Sequence, residues 1–100
     1  MKRQAHMNIR EISQFEFDTL FPSRPTLESY TGRLVQWFAD NENNILGAID
    51  HERTGTWSYV VLKRNPDGAL RVVEINENLV TLAAARLELF QKMEIAGESA

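Results

Sequence analysis

Four stretches rich in β-forming residues follow one another between residues 32 and 75, and only four to six residues separate each stretch from the next. They cover residues 32–39, 45–50, 57–64 and 69–75. A parallel crossover needs a dozen or more residues, so strands joined by such short linkers must be antiparallel neighbours. The sequence therefore predicts a four-stranded antiparallel meander.

Glycine placement supports this prediction at two positions. The linker Asn65-Pro66-Asp67-Gly68 combines a proline that presets φ with a glycine that tolerates positive φ, which is typical of a tight turn. Gly47 interrupts the second stretch. A glycine inside a strand marks a bulge or the close approach of another group.

An amphipathic helix is predicted over about residues 79–95, directly after the last strand. Asn78 or Thr81 is a suitable N-cap, and Gly97 is a natural end. Apolar residues recur there at steps of three and four, which places them on one helical face. These residues are Leu82, Ala85, Leu89, Met93 and Ala96. Strands followed by a helix predict the α+β class.

The length and composition fit one domain over residues 1–100, with residues 1–8 expected to be flexible. The chain has no cysteine, which excludes disulfides and thiolate metal sites and favours a reducing, cytoplasmic location. No apolar run approaches the roughly 20 residues of a membrane helix. The net charge of −3 gives no global attraction for nucleic acid.

Both faces of the predicted strands carry large apolar side chains, although a sheet with one wet face should alternate more cleanly. One helix covers only one face. The second face therefore needs another cover, either the N-terminal aromatic arm, which spans Phe15, Phe17 and Phe21, or a second copy of the chain. The arm itself is expected to be irregular or a short helix.

This apparent surplus of apolar surface favours a non-enzymatic protein-interaction module, most simply a homodimer. The residues expected at its contacts are Phe15, Phe17, Phe21, Trp37, Trp57 and Tyr59. The sequence contains no catalytic motif, cofactor fingerprint or metal-ligand spacing, so no catalytic residue, metal or cofactor is predicted.

Two other hypotheses stay open. Strand aromatics with arginines near the strand ends are similar to a base-stacking sheet, which would make the chain a nucleic-acid-binding accessory protein. Asp50-His51-Glu52 places a histidine between two carboxylates, which suits a small hydrolase or a metal-dependent enzyme. In an extended segment, however, His51 points away from its two neighbours. Asp40, Glu42 and Asp50 together form a weaker candidate for a Mg²⁺ or Ca²⁺ site.

The central part of the chain resembles a group of short bacterial proteins of undefined activity. The resemblance covers about 40 residues and runs through Trp37-Phe38-Ala39-Asp40, Leu46-Gly47, residues 57–64, and Gly68 with Arg71. The shared pattern is W-F-[AS]-D, L-G, W-x-[YF]-V-[VI]-L-x-R and G-x-[FL]-R. The resemblance implies a stand-alone bacterial domain and assigns no site residue.

Overall fold

The computed structural model describes residues 9–20, 33–40, 42 and 44–98. Phe21 and the predicted flexible segment 1–8 lie outside these residues. In chain order, the elements are β1 (Arg10–Ile12), α1 (Gln14–Leu20), β2 (Arg33–Asp40), β3 (Ile45–His51), β4 (Trp57–Arg64), β5 (Leu70–Leu79) and α2 (Leu82–Glu98).

The strands form one antiparallel sheet in the order β1-β2-β3-β4-β5. The predicted α+β class and antiparallel sheet are confirmed, but the predicted number of strands is wrong, because β1 adds a fifth. This strand pairs Arg10 with Ala39 and Ile12 with Trp37. It contains only three residues, too few for an alternating pattern to show in the sequence.

The last strand is longer than the predicted 69–75, since β5 continues to Leu79. Asn76-Glu77-Asn78 was expected to end the sheet, but the chain forms a bulge there instead: Tyr59 pairs with Asn76, and Trp57 pairs with Leu79. Asn78 has a φ of 68°, a conformation that asparagine tolerates better than most residues. The bulge therefore lets β5 continue past a turn-like sequence.

Helix α2 begins later and ends later than the predicted 79–95. Thr81 is the N-cap, because its Oγ1 accepts a hydrogen bond from the Ala84 N–H at 3.0 Å. The helix continues through the expected end at Gly97 to Glu98. The predicted inner face is confirmed by the burial of Ala85, Leu89, Met93 and Ala96. Neither helix in the described part of the chain is long and apolar enough to cross a membrane.

Each face of the sheet has its own apolar core. Neighbouring residues such as Phe38 and Ala39 point to opposite faces, as strand geometry requires. The α2-side core contains Phe38, Ile45, Ile49, Tyr59, Val61, Ala85, Leu89, Met93 and Ala96. The α1-side core contains Ile12, Phe17, Ala39, Leu46, Ala48, Val60 and Leu62. Helix α1, which belongs to the predicted N-terminal arm, therefore covers part of the second face with Phe17 and Leu20.

Helix α1 is short, and local contacts define its start. The Ser13 Oγ accepts a hydrogen bond from the Glu16 N–H at 3.1 Å, which is an N-cap. Glu16 also forms an ion pair of 2.6 Å with Arg10 on β1. This geometry turns Phe17 into the α1-side core, where it has no exposed surface.

Gly47 lies where α2 crosses β3. A Cβ added at this glycine would lie 2.8 Å from the Met93 Sδ and 3.0 Å from the Leu89 Cδ1. Both distances are shorter than ordinary van der Waals contact. The predicted close approach of another group at this position is confirmed, and the group is α2.

We expect Gly47→Val to lower the free energy of unfolding by about 1–3 kcal/mol, because the added carbons overpack the α2-side core. Urea unfolding measures this change. Met93→Ala should make room for the new side chain, so the double variant should be more stable than the sum of the two single effects predicts. Strictly additive effects would contradict the contact between Gly47 and Met93.

Candidate functional site

Polar side chains gather at one end of the sheet, on the face that also carries the α1-side core. Asp50 on β3 lies opposite Ser58 on β4. Both residues have 0% exposed surface, although their neighbours along this face, Ala48 and Val60, belong to an apolar core. A charged and a polar side chain therefore replace apolar ones at this end.

The turn between β3 and β4 brings a second carboxylate to Ser58. The Glu52 N–H donates to the Thr56 carbonyl at 2.9 Å, and the Gly55 N–H donates to the Glu52 carbonyl at 3.0 Å. The backbone of Glu52 is thus fixed by the turn. Its side chain reaches back to Ser58, whose Oγ donates to the Glu52 Oε2 at 2.9 Å.

Glu77 adds a third carboxylate from β5. It lies in the bulge opposite Ser58, between the Tyr59–Asn76 and Trp57–Leu79 pairs. We call Asp50, Glu52, Ser58 and Glu77 the acidic corner. Glu77 is exposed and Glu52 is half-buried, so the corner opens to solvent on the Glu77 side.

Asp50 is the unusual member of the acidic corner. Neither of its carboxylate oxygens has a hydrogen-bond partner among the described residues. Burial, followed by the negative charges of Glu52 and Glu77, raises the pKa of the Asp50 carboxyl from 3.8 to about 6. The imidazole and backbone amide of His51 act in the opposite direction and more weakly. A buried carboxylate without partners is costly to keep ionised.

His51 does not join this cluster. Its ring stacks on the Trp57 ring, with centroids 4.0 Å apart and planes 5° from parallel, and Trp57 packs against the α2-side core. The Ser58 hydroxyl donates to Glu52. The arrangement therefore has no serine–histidine relay of the kind that activates a nucleophile.

Metal binding finds no support in the described part of the chain, where no group of three or more histidine or acidic side chains has the geometry to hold an ion. Asp40 and Asp50 lie at opposite ends of the β2–β3 hairpin, because Asp40 pairs with Ile45 and Asp50 pairs with Leu34. The candidate set of Asp40, Glu42 and Asp50 is therefore not brought together.

The six aromatic residues predicted at contacts have different environments. Phe17 and Tyr59 have no exposed surface, while Phe15 is 81% exposed. Trp37 and Trp57 are half-buried against the two cores, and Phe21 lies outside the described residues. Of this set, Phe15 alone projects fully into solvent among the residues that the structure describes.

Tyr59 belongs to a polar group beneath α2. The Asn76 Nδ2 donates to the Glu88 Oε1 at 2.7 Å, which joins β5 to α2. Burial, followed by the charge of the nearby Glu88, raises the pKa of Tyr59 to about 12. This group connects elements within the domain, and its buried position makes it a structural contact.

A partly open cavity of about 210 Å³ lies between the end of α1 and the ends of two hairpins. Aliphatic side chains, among them Leu46 and Leu70, line it together with Asp40, Asn44 and Arg64. The Arg64 guanidinium donates to the carbonyls of Leu20 and Gly68, so it joins α1 to the β4–β5 turn. The cavity is smaller than the roughly 300–1,000 Å³ typical of ligand pockets.

Large exposed apolar side chains lie mainly in the C-terminal part of the described chain. Besides Phe15, they are Ile75 at 49%, Val80 at 80%, Leu87 at 63% and Ile95 at 57% exposed. All four belong to β5, to α2 or to the connection between them. Ile75 pairs with Val60 and therefore lies on the α1 side of the sheet, whereas Leu87 and Ile95 lie on α2. Exposed apolar groups that share one helix mark interaction surfaces more often than scattered ones do.

The fold and the site together define a small α+β domain with a five-stranded antiparallel meander, a helix on each face, an acidic corner and an apolar outer side on α2. No family model, curated protein or solved structure matches the chain.

The acidic corner was only partly visible in the sequence. Asp50 and Glu52 are adjacent to His51 in the chain and were predicted as one cluster, whereas Ser58 and Glu77 were missed. No local motif marks these two residues. They become neighbours of Asp50 only through the register of β3, β4 and β5.

Proposed function

We propose that the chain is a non-enzymatic protein-interaction module that forms a homodimer through the outer face of α2. The observation that carries this proposal is the exposure of Val80, Leu87 and Ile95 along that helix and the residue leading into it. The bacterial origin implied by the resemblance, and a cytoplasmic location, belong to the same proposal.

The free edge of β5 is the obvious alternative contact, since the sheet order leaves this ten-residue strand with one neighbour among the described strands. Two register shifts interrupt its pairing with β4, and Arg71, Glu74 and Glu77 place charges along it. Bulges and charges are the usual means by which edge strands avoid pairing with other chains. The side chains of α2 are therefore favoured over the backbone edge of β5.

A second copy is favoured as the partner, because a charge at one end of α2 can pair with an opposite charge at the other end of α2 in that copy. Arg86 is exposed in the first half of the helix, where Glu88 accepts a hydrogen bond from Asn76. Glu94 and Glu98 lie in the last half together with the half-buried Lys92, so that half carries one net negative charge. Two copies of α2 packed antiparallel would place the arginine of each helix beside the acidic half of the other. Leu87 and Ile95, about 12 Å apart along the helix axis, would then form the apolar centre.

The second sheet face gives less support for self-association than its apolar composition alone predicts. Apolar surface on the second sheet face suggested a partner, but α1 covers part of that face with Phe17 and Leu20. The nucleic-acid alternative is less favoured, because Phe38 and Tyr59 are buried and one face of Trp57 is occupied by His51, although Trp37 is only half-buried. The described part of the chain offers no open aromatic platform.

Leu87→Glu is the most direct test of the dimer. We expect sedimentation equilibrium to show a concentration-dependent dimer for the original protein and a dissociation constant raised roughly 30-fold in the variant, equal to about 2 kcal/mol. The melting temperature, measured at a dilution where both proteins are monomers, should change little, because Leu87 lies on the surface.

Thr54→Glu is the matched control, since it adds the same charge in the exposed β3–β4 turn. It should leave the dissociation constant unchanged. A strictly monomeric original protein at millimolar concentration would refute self-association. An equal weakening by both variants would show that net charge, rather than the α2 surface, governs association.

A further inference from the structure

The acidic corner holds three carboxylates, and the described residues provide no cation for them. No described lysine or arginine forms an ion pair with Asp50, Glu52 or Glu77. Glu52 accepts one hydrogen bond from Ser58, and Asp50 accepts none. Such uncompensated negative charge is unusual around a buried group, because buried charges are normally paired.

The lack of a hydrogen-bond partner for the Asp50 carboxylate supports a binding site independently of the number of acidic residues in the corner. A solvated acidic cluster needs no partner, since water satisfies its oxygens. Asp50 has no access to water, with 0% of its surface exposed, and neither of its carboxylate oxygens accepts a hydrogen bond of normal geometry, although the backbone amide of His51 lies close enough to favour the ionised form weakly. A group in this state is destabilising unless something outside the described residues completes it.

We propose that the acidic corner binds a guanidinium group, such as an arginine side chain of a partner, with Asp50 as its bidentate acceptor and Glu52 and Glu77 as flanking charges. A guanidinium presents two parallel N–H donors that match the two free oxygens of one carboxylate. It is also more weakly hydrated than an ammonium group, so it enters a desolvated site at lower cost. A metal ion suits the corner less well, since the required ligand geometry is absent from the described residues.

Entry takes place from the Glu77 side, which is exposed, and displaces the Glu52 side chain from Ser58. This movement frees the Ser58 hydroxyl and the Glu52 carboxylate together. The site is separate from the outer face of α2, because Asp50 and Ser58 lie on the sheet face of the α1-side core. The proposal therefore does not depend on the homodimer, and it can be tested in the Leu87→Glu variant.

N-acetyl-arginine amide is a suitable probe, with N-acetyl-lysine amide as its ammonium counterpart. We expect the arginine probe to shift the backbone amide resonances of Asp50, Ser58 and Glu77 in a saturable manner at pH 7. The lysine probe should bind at least about fivefold more weakly. Equal binding of both probes would overturn the assignment to guanidinium, and no saturable shift at these residues would overturn the site.

Asp50→Asn keeps the shape of the side chain and removes the charge, so it should weaken binding of the arginine probe about tenfold. Glu11→Gln is the matched control, since Glu11 is an exposed carboxylate on β1; it should leave binding unchanged. Full binding by Asp50→Asn, or an equal loss in both variants, would show that only long-range attraction operates.

The pH dependence of arginine-probe binding separates a direct binding role of Asp50 from a purely structural one, because a structural role would leave this dependence unchanged. The charged and titratable groups that act on Asp50 are Glu52 from the adjoining turn, Glu77 from β5 and, from the opposite face of its own strand, His51. Because the guanidinium binds the ionised carboxylate, affinity should rise between pH 5 and pH 7 as Asp50 loses its proton. In Asp50→Asn this rise should disappear, and its persistence would contradict the role of Asp50.

Discussion

Phe17→Ala is expected to lower the free energy of unfolding by about 3–5 kcal/mol, the range found for removal of a buried phenylalanine ring. Phe17 has no exposed surface and lies in the α1-side core with Ile12, Ala39 and Leu46. A domain of this size has a total stability of about 5–15 kcal/mol. The melting temperature should therefore fall by more than about 12 °C.

Phe15→Ala is the matched control, since it removes the same ring two residues away in the same helix. Phe15 is 81% exposed, and its replacement should change the free energy of unfolding by no more than about 0.5 kcal/mol. Thermal unfolding of both variants measures the contrast. Similar effects for the two variants would mean that α1 does not cover the sheet through Phe17.

The different burial of these two phenylalanines could not be predicted from the sequence. A helix rotates by about 200° over two residues, so one ring must point inward and the other outward. The sequence does not show which ring points inward, because the two side chains are identical. The N-cap at Ser13 with Glu16 three residues later was a usable signal for the start of α1, and it was missed.

Elements encoded within one contiguous segment were predicted well. The buried face of α2 follows from the spacing of Ala85, Leu89, Met93 and Ala96, and the β4–β5 turn follows from Gly68, which has a φ of 93°. β1 and the extension of β5 depend instead on pairing with distant residues. A three-residue strand or a bulge at Asn78 becomes favourable only when its neighbouring strand is already present.

In the acidic corner, too, local features could be predicted from the sequence and features that depend on strand pairing could not. Strand alternation correctly predicted that His51 points away from Asp50 and Glu52, and this disfavours the histidine-based enzyme hypothesis. The desolvation of Asp50 was not predictable, because it depends on which residues flank it in the sheet. Ser58 on β4 occupies one of these flanking positions.

The stability of the protein should depend on pH through Asp50, and the sign is opposite to that of an ordinary ion-paired aspartate. The folded-state pKa of about 6 lies above the ordinary value of 3.8, so the folded protein holds this proton more tightly than the unfolded chain does. The resulting stabilisation is complete below about pH 4 and is lost as the pH rises through 6.

The raised pKa of Asp50 corresponds to a loss of about 2–3 kcal/mol between pH 4 and pH 8, at 1.36 kcal/mol for each pKa unit. Urea unfolding across this range should show the decline in the original protein. Asp50→Asn removes the titration, so its stability should vary less with pH and should exceed that of the original protein at pH 8.

Glu52→Gln provides the intermediate case, because the charge of Glu52 is one of the causes of the raised pKa. Removing it should shift the midpoint of the decline to lower pH without abolishing the decline. Parallel stability curves for Asp50→Asn and the original protein would show that Asp50 is not the responsible group. If Asp50→Asn is more stable than the original protein at pH 8 but binds the arginine probe more weakly, the unpaired Asp50 carboxylate serves binding at the expense of stability.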